Sequence, residues 1–517
     1  VNYPVWYLPS IGGAIIIAFV AIVHVVVSHF AVGGGLWLVL TEKKAYREKK
    51  EFILEYVKKH TLFFMLLTMV FGSMTGVGIW FTISLISPDA TSVLIHTFVF
   101  GWAIEWVFFV IEILTAFLYF YTFRKISEKT HLLIGWIYFL AALASLFVIN
   151  AILSFMLTPG QWLETKSFWH GILNPTYLPS TVFRTFLSFA LAGGYALLTA
   201  ARKYKGAERS ELVAYNGKWI FYSMLGMIPS LIWYFLSLPE LTRQGLKGTS
   251  FIMVHSMYFL VIGLIIFLLL TLFFTLWKSK KLNFTWSLVV LISIFIFFSA
   301  FEFIREAGRK PFIIRNYMYS SGLKVADIEK LEGKSILNHS KWVQNKEINE
   351  HNILSAGEEI FMIQCYACHT LGFKNNILPG LKNWNEKRIS TVLKNLKGIT
   401  PFMPPFIGTE QERGALAKWL YSKAPKDGEF VKEGSLPLPA QGERIFKQQC
   451  SLCHEIDDPE GILPRLLQYQ SIDEITNILG KLDSLNEDMP AFEGNDQEKK
   501  ALAEYLFKLR AEEKKDD

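Results

Sequence analysis

Two five-residue strings in this chain have the residue types and spacing to do chemistry. They are Cys365-Tyr366-Ala367-Cys368-His369 and Cys450-Ser451-Leu452-Cys453-His454. Each sets two thiols three residues apart with an imidazole directly after. At this spacing the thiols form thioethers to the vinyl groups of haem, and the His ligates the iron. A single C-x-x-C could equally serve thiol redox or zinc chemistry. The chain has only four cysteines, and the two strings use all of them. Two copies, each with its His and no spare thiol, point to two covalent haems c.

The strings lie in a tandem repeat. Gly357-Glu358-Glu359-Ile360-Phe361 precedes the first, and Gly442-Glu443-Arg444-Ile445-Phe446 precedes the second. A Leu-Pro pair follows each His, at Leu378-Pro379 and Leu463-Pro464, and then a Met-Pro pair, at Met403-Pro404 and Met489-Pro490. The His-to-Met spacings are 34 and 35. Each copy closes on a segment with helical apolar periodicity, 412–422 and 497–509. The pattern resembles class I cytochrome c twice over. The resemblance implies that Met403 and Met489 are the second axial ligands, opposite His369 and His454. A thioether is a soft ligand and raises the haem potential. The plainer alternative is two core Met residues at helical spacing. Each copy is small, and haem would complete a core that a chain of about 75 residues fills poorly.

The remainder of the chain must position these domains. Overall it is 52% hydrophobic and 19% charged, apolar for a soluble protein. The excess sits in the first 305 residues. Eight apolar runs there are long enough to span a bilayer: roughly 11–40, 62–86, 93–123, 132–157, 179–200, 219–238, 251–277 and 284–304. A large buried soluble core would not need so many runs with so few charges. No cleavable signal peptide is apparent, so the first run is expected to act as the signal and stay. The formal charge of +7 is not a nucleic-acid signal, because the basic residues fall largely in short loops between the runs.

Those loops set the orientation. The 41–59 loop carries Lys43, Lys44, Arg47, Lys49, Lys50, Lys58 and Lys59, and the 124–130, 201–217 and 278–282 loops are also basic. The alternate loops 87–92, 158–178 and 239–249 together hold only Lys166, Arg243 and Lys247. The positive-inside rule therefore puts the N-terminus outside, and eight spans return the C-terminus to the same side. Cytochromes c receive their haem on the outer side of the bacterial membrane, which agrees.

Ionisable groups within the runs are few. They include His24 and His29 in the first, His96, Glu105 and Glu112 in the third, His255 in the seventh, and Glu302, Arg305, Glu306 and Arg309 at the end of the eighth. A charge at mid-bilayer costs about 2.5–3.5 kcal/mol on insertion scales. Glu105 and Glu112 are two helical turns apart and share a face. They should meet a cofactor, a proton path or a partner charge. The alternative is a neutral pair packed against polar neighbours, and any lone His could be a hydrogen-bonded packing residue.

At these residues a second resemblance enters. Ala103-Ile104-Glu105 with Glu112 after it resembles the third helix of the large subunit of cytochrome bd oxidase. Glu306-Ala307-Gly308-Arg309-Lys310-Pro311 is similar to that family's E-x-G-R-x-P signature. His24 with the glycines from Gly33, the Thr75-Gly76 region, and Leu173-Asn174-Pro175 also fit. The resemblance covers about residues 10–315, with helix order and orientation kept. It implies a high-spin haem pair, of b and d type, that reduces oxygen, and a low-spin haem b that takes electrons from quinol. His24 and Glu306 would be axial ligands, Glu105 a ligand or proton-handling group, and Glu112 part of a proton path. Arg309 would pair with a haem propionate.

Two departures alter this expectation. Where the family has a low-spin haem His on the fifth helix, this chain has Val182-Phe183-Arg184-Thr185. Met253 matches the family's partner Met, and His255 beside it, or His170 in the outer loop, is a candidate replacement ligand. The family's quinol-binding loop between helices 6 and 7 is long. Here the connection is residues 239–248, too short for such a site.

The fold expected is all-α: an eight-helix transmembrane bundle followed by two small cytochrome c domains. The boundaries expected are 1–310 for a transmembrane bd-oxidase-like haem-binding domain, 311–349 for a linker that Tyr317 and Trp342 could pack onto the membrane surface, 350–427 for the first c domain, 428–437 for a second linker, and 438–517 for the second c domain. The function expected is a bacterial inner-membrane oxidase subunit. Its c haems would accept electrons from a periplasmic cytochrome and pass them to membrane haems, of b type, d type or both, that reduce oxygen to water. A second, related membrane subunit is the expected partner, and the lipid bilayer is the medium. One alternative is a quinol-to-cytochrome electron-transfer module without oxygen reduction. Another is a non-catalytic anchor, which would have no use for Glu105, Glu112 and Glu306.

Overall fold

The computed structural model describes residues 3–516 apart from 250, 274–280, 374, 383, 397–402, 426–437, 451–453, 455–461, 486–488, 490 and 493. Residue contacts divide the chain into two units, 14–322 and 323–517, the second also holding residues 1–13.

The first unit contains, among the described residues, eight helices long and apolar enough to cross a membrane. They are α1 (Gly13–Glu48), α2 (Glu51–Ile86), α3 (Val99–Thr122), α4 (Glu128–Phe155), α5 (Tyr177–Lys203), α6 (Gly206–Leu236), α7 (Met253–Phe273) and α8 (Phe284–Ala307). In hydrocarbon every backbone N–H and C=O must be satisfied within the segment, which is why these runs are helical. Polar side chains start some of them. Ser127 caps α4 by accepting from the Thr130 N–H, and Asn283 caps α8 by accepting from Trp286. α3 packs antiparallel on α4, α5 on α6, and α7 on α8, while α5 also meets α4 and α8. α5 and α8 form the centre, with 72% and 61% of their apolar windows buried against 17% for α3. The outer face of α3 is therefore left to lipid or to another chain, and it shows Phe100, Ile104, Trp106 and Val107.

Three details differ from the sequence expectation. α1 continues through Glu48, past the end of its apolar run, and carries Thr41 and Glu42 into the interior. The run 93–123 is two helices, Pro88–Thr97 and α3, broken at Phe98, so His96 lies on the short one. α2 has a π-helical stretch, Leu66–Gly72, in its middle. After α8, β1 (Phe312–Ile314) and β2 (Met318–Tyr319) form a small antiparallel hairpin. Ile314 and Met318 bury against Phe155 and Trp162.

In the second unit each c domain is a helix crossing. The first has α9 (Ile353–Gln364), α10 (Glu386–Lys394) and α11 (Glu410–Lys423). The second has α12 (Leu438–Gln449), α13 (Ile472–Leu479) and α14 (Asp496–Asp516). The repeated Gly sits where α9 crosses α11 and α12 crosses α14. A Cβ on Gly357 would fall 2.4 Å from the Ala415 carbonyl oxygen, and one on Gly442 would fall 2.0 Å from that of Ala501. Phe361 then meets Trp419, and Phe446 meets Tyr505. Both closing helices start with reciprocal capping: Thr409 with Glu412, and Asn495 with Glu498.

The expected linker 311–349 is not one. Residues up to Gly322 lie in the membrane unit, and those from Leu323 onward build into the first c domain. Leu323, Leu331, Ile336, Leu337 and Val343 join its core, with Trp342 packed against it. The buried Glu412 carboxylate explains the attachment. It accepts from Ser335 Oγ and from the N–H groups of Ile336 and Leu337, at 2.7–3.1 Å. Tyr317 stays in the membrane unit, 5.0 Å from Trp162.

Candidate functional site

In the first c domain the attachment motif begins where α9 ends. The N–H groups of Cys368 and His369 both bond to the Cys365 carbonyl, at 3.1 and 2.9 Å, which curls the motif into one tight turn. His454 N–H bonds to the Cys450 carbonyl in the same way at 2.9 Å. Cys365, Cys368 and Cys450 are in no disulfide among the described residues. Cys453 lies outside the described residues. His369 is half-buried, and its buried Nδ1 has no hydrogen-bond partner among the described residues. Burial lowers the pKa of both His369 and His454, which favours the neutral imidazole that ligates iron. Thiols in one turn with a neutral imidazole fit haem c.

Met403 is half-buried, and the chain four residues after it is tied at Ile407 to Gln364, the residue before Cys365. Gln364 Nε2 donates to the Ile407 carbonyl at 2.6 Å, and its Oε1 accepts from the Ile407 N–H at 2.9 Å. Met489 is also half-buried. The matching residue of the second copy, Gln449, points elsewhere. The Arg388 guanidinium of the first domain donates to its carbonyl and side-chain oxygens at 2.5 and 3.3 Å. Arg388 also lies over the Trp384 ring, at 4.5 Å. This contact ends one residue before Cys450, so it couples the second motif to the first domain.

In the membrane unit, His24 faces the π-helical stretch of α2. Its Nδ1 lies 3.2 Å from the Gly72 carbonyl and from Thr75 Oγ1. A Cβ on Gly76 would come within 3.0 Å of the ring, so Gly76 is what admits it. Such π-bulges recur at functional sites because they re-aim carbonyls. Glu105 accepts from Ser145 Oγ at 3.1 Å, and the buried Glu112 accepts from the Tyr138 hydroxyl at 3.3 Å. Both donors are on α4, two turns apart like the carboxylates they serve. The i, i+7 match between the two helices is the signal by which sequence could have found Ser145 and Tyr138.

At the end of α8, Arg309 Nη2 donates to both oxygens of Glu306. Its Nη1 donates to Met156 Sδ and to the Ile313 carbonyl. A carboxylate has about four lone-pair sites, so Glu306 keeps acceptor capacity beside Arg309. Thr242 Oγ1 donates to the Gly308 carbonyl at 2.7 Å, and Arg315 donates to both. The α6–α7 connection that carries Thr242 is the helix Glu240–Gln244 with a single π turn after it. His24, Glu105 and Glu306 thus each hold separate partners; among the described residues none hydrogen bonds to another.

Arg184 is almost fully buried at the centre, where the bd-type resemblance expects a haem ligand. Its Nη2 lies 2.5 Å from Glu302 Oε1, its Nη1 lies 3.3 Å from His29 Nε2, and its Nε donates to Ser180 Oγ. Arg305 Nε donates to the other Glu302 oxygen at 3.0 Å. The cluster joins α1, α5 and α8, and sequence inspection gave no role to His29, Glu302 or Arg305. Haem ligation through α5 at this level does not fit, because a guanidinium fills the position and is itself paired. The replacement ligands fare differently from expectation. Met253 is buried and His255 is exposed, because a two-residue step along α7 places them on different faces. His170 is exposed in its loop, bonded to Thr165. Neither His points into this unit's core.

Comparison with known proteins agrees with this architecture. A family model described as cytochrome bd terminal oxidase subunit I matches residues 14–234. A second, described as cytochrome C oxidase, cbb3-type, subunit III, matches residues 352–420 and again 437–506. A search of curated proteins finds no match. Among solved structures the chain is similar to a bd oxidase from Geobacillus thermodenitrificans. The TM-score is 0.53 at 16% identity, covering 59% of this chain and 88% of that one. At this identity the likeness shows the fold.

Proposed function

We propose that this chain, a bd-oxidase-type membrane domain joined to two cytochrome c domains, is the subunit of a respiratory oxidase that takes its electrons through haem c. The two matched domains make it a multi-pass membrane protein of the oxidoreductase, electron-transport class. The finer reading rests on one observation. The α6–α7 connection, where the family binds quinol, is a five-residue helix and one π turn pinned by Thr242 to Gly308. It leaves no room for a quinol site of that kind, and the chain supplies two haem c domains instead.

In this reading Cys365, Cys368, His369 and Met403 would hold one haem c, and Cys450, Cys453, His454 and Met489 the other, each haem supplying a one-electron carrier. The thioether bonds fix each haem on its domain, and Arg388 holds the second motif against the first domain. Membrane haems of b type, d type or both would supply the oxygen-reducing chemistry. His24 on α1, Glu105 on α3 and Glu306 on α8 are the ligand-bearing or proton-handling side chains on the membrane side. Arg309 orients Glu306 and offers a guanidinium to a propionate. Glu112 passes protons toward Glu105 on the same face of α3. The charge of the basic loops supports a periplasmic position for the c domains, where a soluble cytochrome can donate. The open apolar face of α3 suits a second membrane subunit.

The test is oxygen uptake by the intact, haem-replete complex. Rapid uptake with a reduced periplasmic cytochrome, and little with quinol, supports the reading. No uptake with any donor contradicts it.

A further inference from the structure

Residues 1–13 lead into α1, yet their contacts place them in the second unit, with the c domains. Val5 and Tyr7 pack against the core of the first c domain. Residues 3–12 form no regular element, and α1 starts directly after them at Gly13.

This segment grips the attachment motif itself. Tyr366, between Cys365 and Cys368, is buried. Its hydroxyl accepts from the Leu8 N–H and donates to the Trp6 carbonyl, each at 2.9 Å. The Tyr7 ring stands edge-on to the Tyr366 ring, with centroids 5.0 Å apart. Just past the motif, the Leu371 N–H donates to the Pro9 carbonyl at 2.7 Å. Two glycines let the strands of chain close on each other. A Cβ on Gly12 would fall 2.6 Å from Thr370 Cγ2, and one on Gly372 would fall 3.1 Å from the Ser10 carbonyl oxygen. Gly12 has a φ of +83°, the left-handed region that glycine enters freely. The Leu8 carbonyl accepts from the N–H groups of Ile11 and Gly12 at 3.2 and 2.8 Å, and this turn delivers the chain to α1.

The grip is additional to the domain fold. Both c domains make the same helix crossing, with Gly442 in the role of Gly357 and Phe446 in that of Phe361. The second copy has Ser451 where the first has Tyr366, and Glu455 where the first has Thr370. A serine has no ring to meet Tyr7, so the second motif lacks this anchor. Beside it, Gln449 is held instead by Arg388 of the first domain. The anchor also has little slack. Thr370 is the neighbour of His369, Gly12 lies against Thr370, and Gly13 is already helix. One peptide step, about 3.8 Å, separates that contact from α1.

We propose that residues 5–12 are a strap that holds the first c domain by its attachment motif to the start of α1. The strap makes the haem at His369, rather than that at His454, the one that exchanges electrons with the membrane haems. Tyr366 is its positioning residue. The step is a one-electron exchange: one iron is oxidised as the other is reduced, and no bond or proton moves. Its rate falls steeply with separation, so a held domain exchanges faster than one that swings on its chain. Only the direction of the exchange rests on the oxidase reading.

The test uses the full, haem-replete complex. Tyr366→Phe keeps the ring and removes the hydroxyl. Gly372→Val leaves the motif untouched and drives a side chain against Ser10. The first readout is amide hydrogen exchange at Leu8, followed by mass spectrometry and independent of turnover. Leu8 is expected to be protected in the native complex and to exchange about tenfold faster or more in both variants, with haem c content and spectra unchanged. The second readout is anaerobic. Once the c haems have been reduced rapidly, electron arrival at the membrane haems is expected to slow by about tenfold or more in the same variants, while the c haems fill at the native rate. An unprotected Leu8 in the native complex overturns the strap. A native rate of exchange between c and membrane haems in a variant whose strap is free overturns its role. Should either variant lose haem c, the other decides. Oxygen uptake is measured separately: slowed exchange in the variants, with no oxygen uptake by the native complex, sinks the oxidase reading and leaves the strap.

Discussion

The Arg184 guanidinium lies 2.5 Å from the Glu302 carboxylate at the centre of the membrane domain, both side chains almost fully buried. Burying two charges is costly, and removing one partner is costlier, because the other is left unpaired. The two partners are not equivalent. Without Arg184, Glu302 keeps Arg305; without Glu302, two guanidiniums lose the carboxylate they share. Arg184→Met is expected to destabilise the complex by about 3 kcal/mol and Glu302→Leu by about 5 kcal/mol. Thermal unfolding of the purified complex in one detergent ranks them. The reverse order would show that Arg305 does not share the load.

The same pair predicts the haem inventory. With α5 offering Arg184 and α7 turning His255 outward, no haem is expected between them. Haem extraction and a reduced-minus-oxidised spectrum should give two haems c per chain and high-spin membrane haem, without a low-spin b band that vanishes in Met253→Leu. A low-spin band sensitive to Met253 would place a haem where the ion pair stands.

The crossing glycines are expected to be intolerant of the smallest side chain. Gly357→Ala and Gly442→Ala each drive a Cβ into a helix carbonyl, so a shift costing about 1–3 kcal/mol is needed. Each variant should lose haem c from its own domain and keep the other. Haem staining of proteolytic fragments reads this directly.

Axial chemistry makes a separate prediction. If Met403 and Met489 ligate iron, exchanging either for His lowers the potential of one c haem, within the range of roughly 0.8 V that axial ligands control. A redox titration resolves the two. An unchanged potential in Met403→His would return Met403 to the role of a core residue.

Arg388 supplies the joint between the c domains, because it grips Gln449 just before Cys450. Arg388→Ala is expected to slow electron exchange between the two c haems while leaving each spectrum intact. Stopped-flow reduction of the full complex, followed at both haems, measures it. An unchanged rate would make the joint a packing contact only.

Much of this architecture was legible in the sequence, for definable reasons. Covalent haem needs a fixed spacing, so Cys365 to His369 and Cys450 to His454 announce themselves. A bilayer needs long apolar runs, so the eight spans do too. What escaped reading were partners set by three-dimensional packing. Glu42 sits among lysines in a segment that looked like a cytoplasmic loop, but α1 continues as helix and folds it inward. The segment from Glu412 was read only for its helical periodicity, yet Glu412 binds the backbone at Ile336 and Leu337 and draws residues of the expected linker into a domain. Met253 and His255 are two residues apart, and only the rotation of α7 decides which one faces the core. His24, Glu105 and Glu306 were singled out by motif, while the partners Ser145 and Tyr138 needed the helix pairing.

The central claim is the direction of electron flow, inward from the c haems. It is tested most directly by mixing the oxidised complex with reduced periplasmic cytochrome under anaerobic conditions and following each haem in time. The c haems are expected to be reduced first and the membrane haems to follow, with added oxygen then reoxidising all of them. Membrane haems reduced first by quinol, with the c haems filling afterwards and unaffected by oxygen, would contradict that direction of flow.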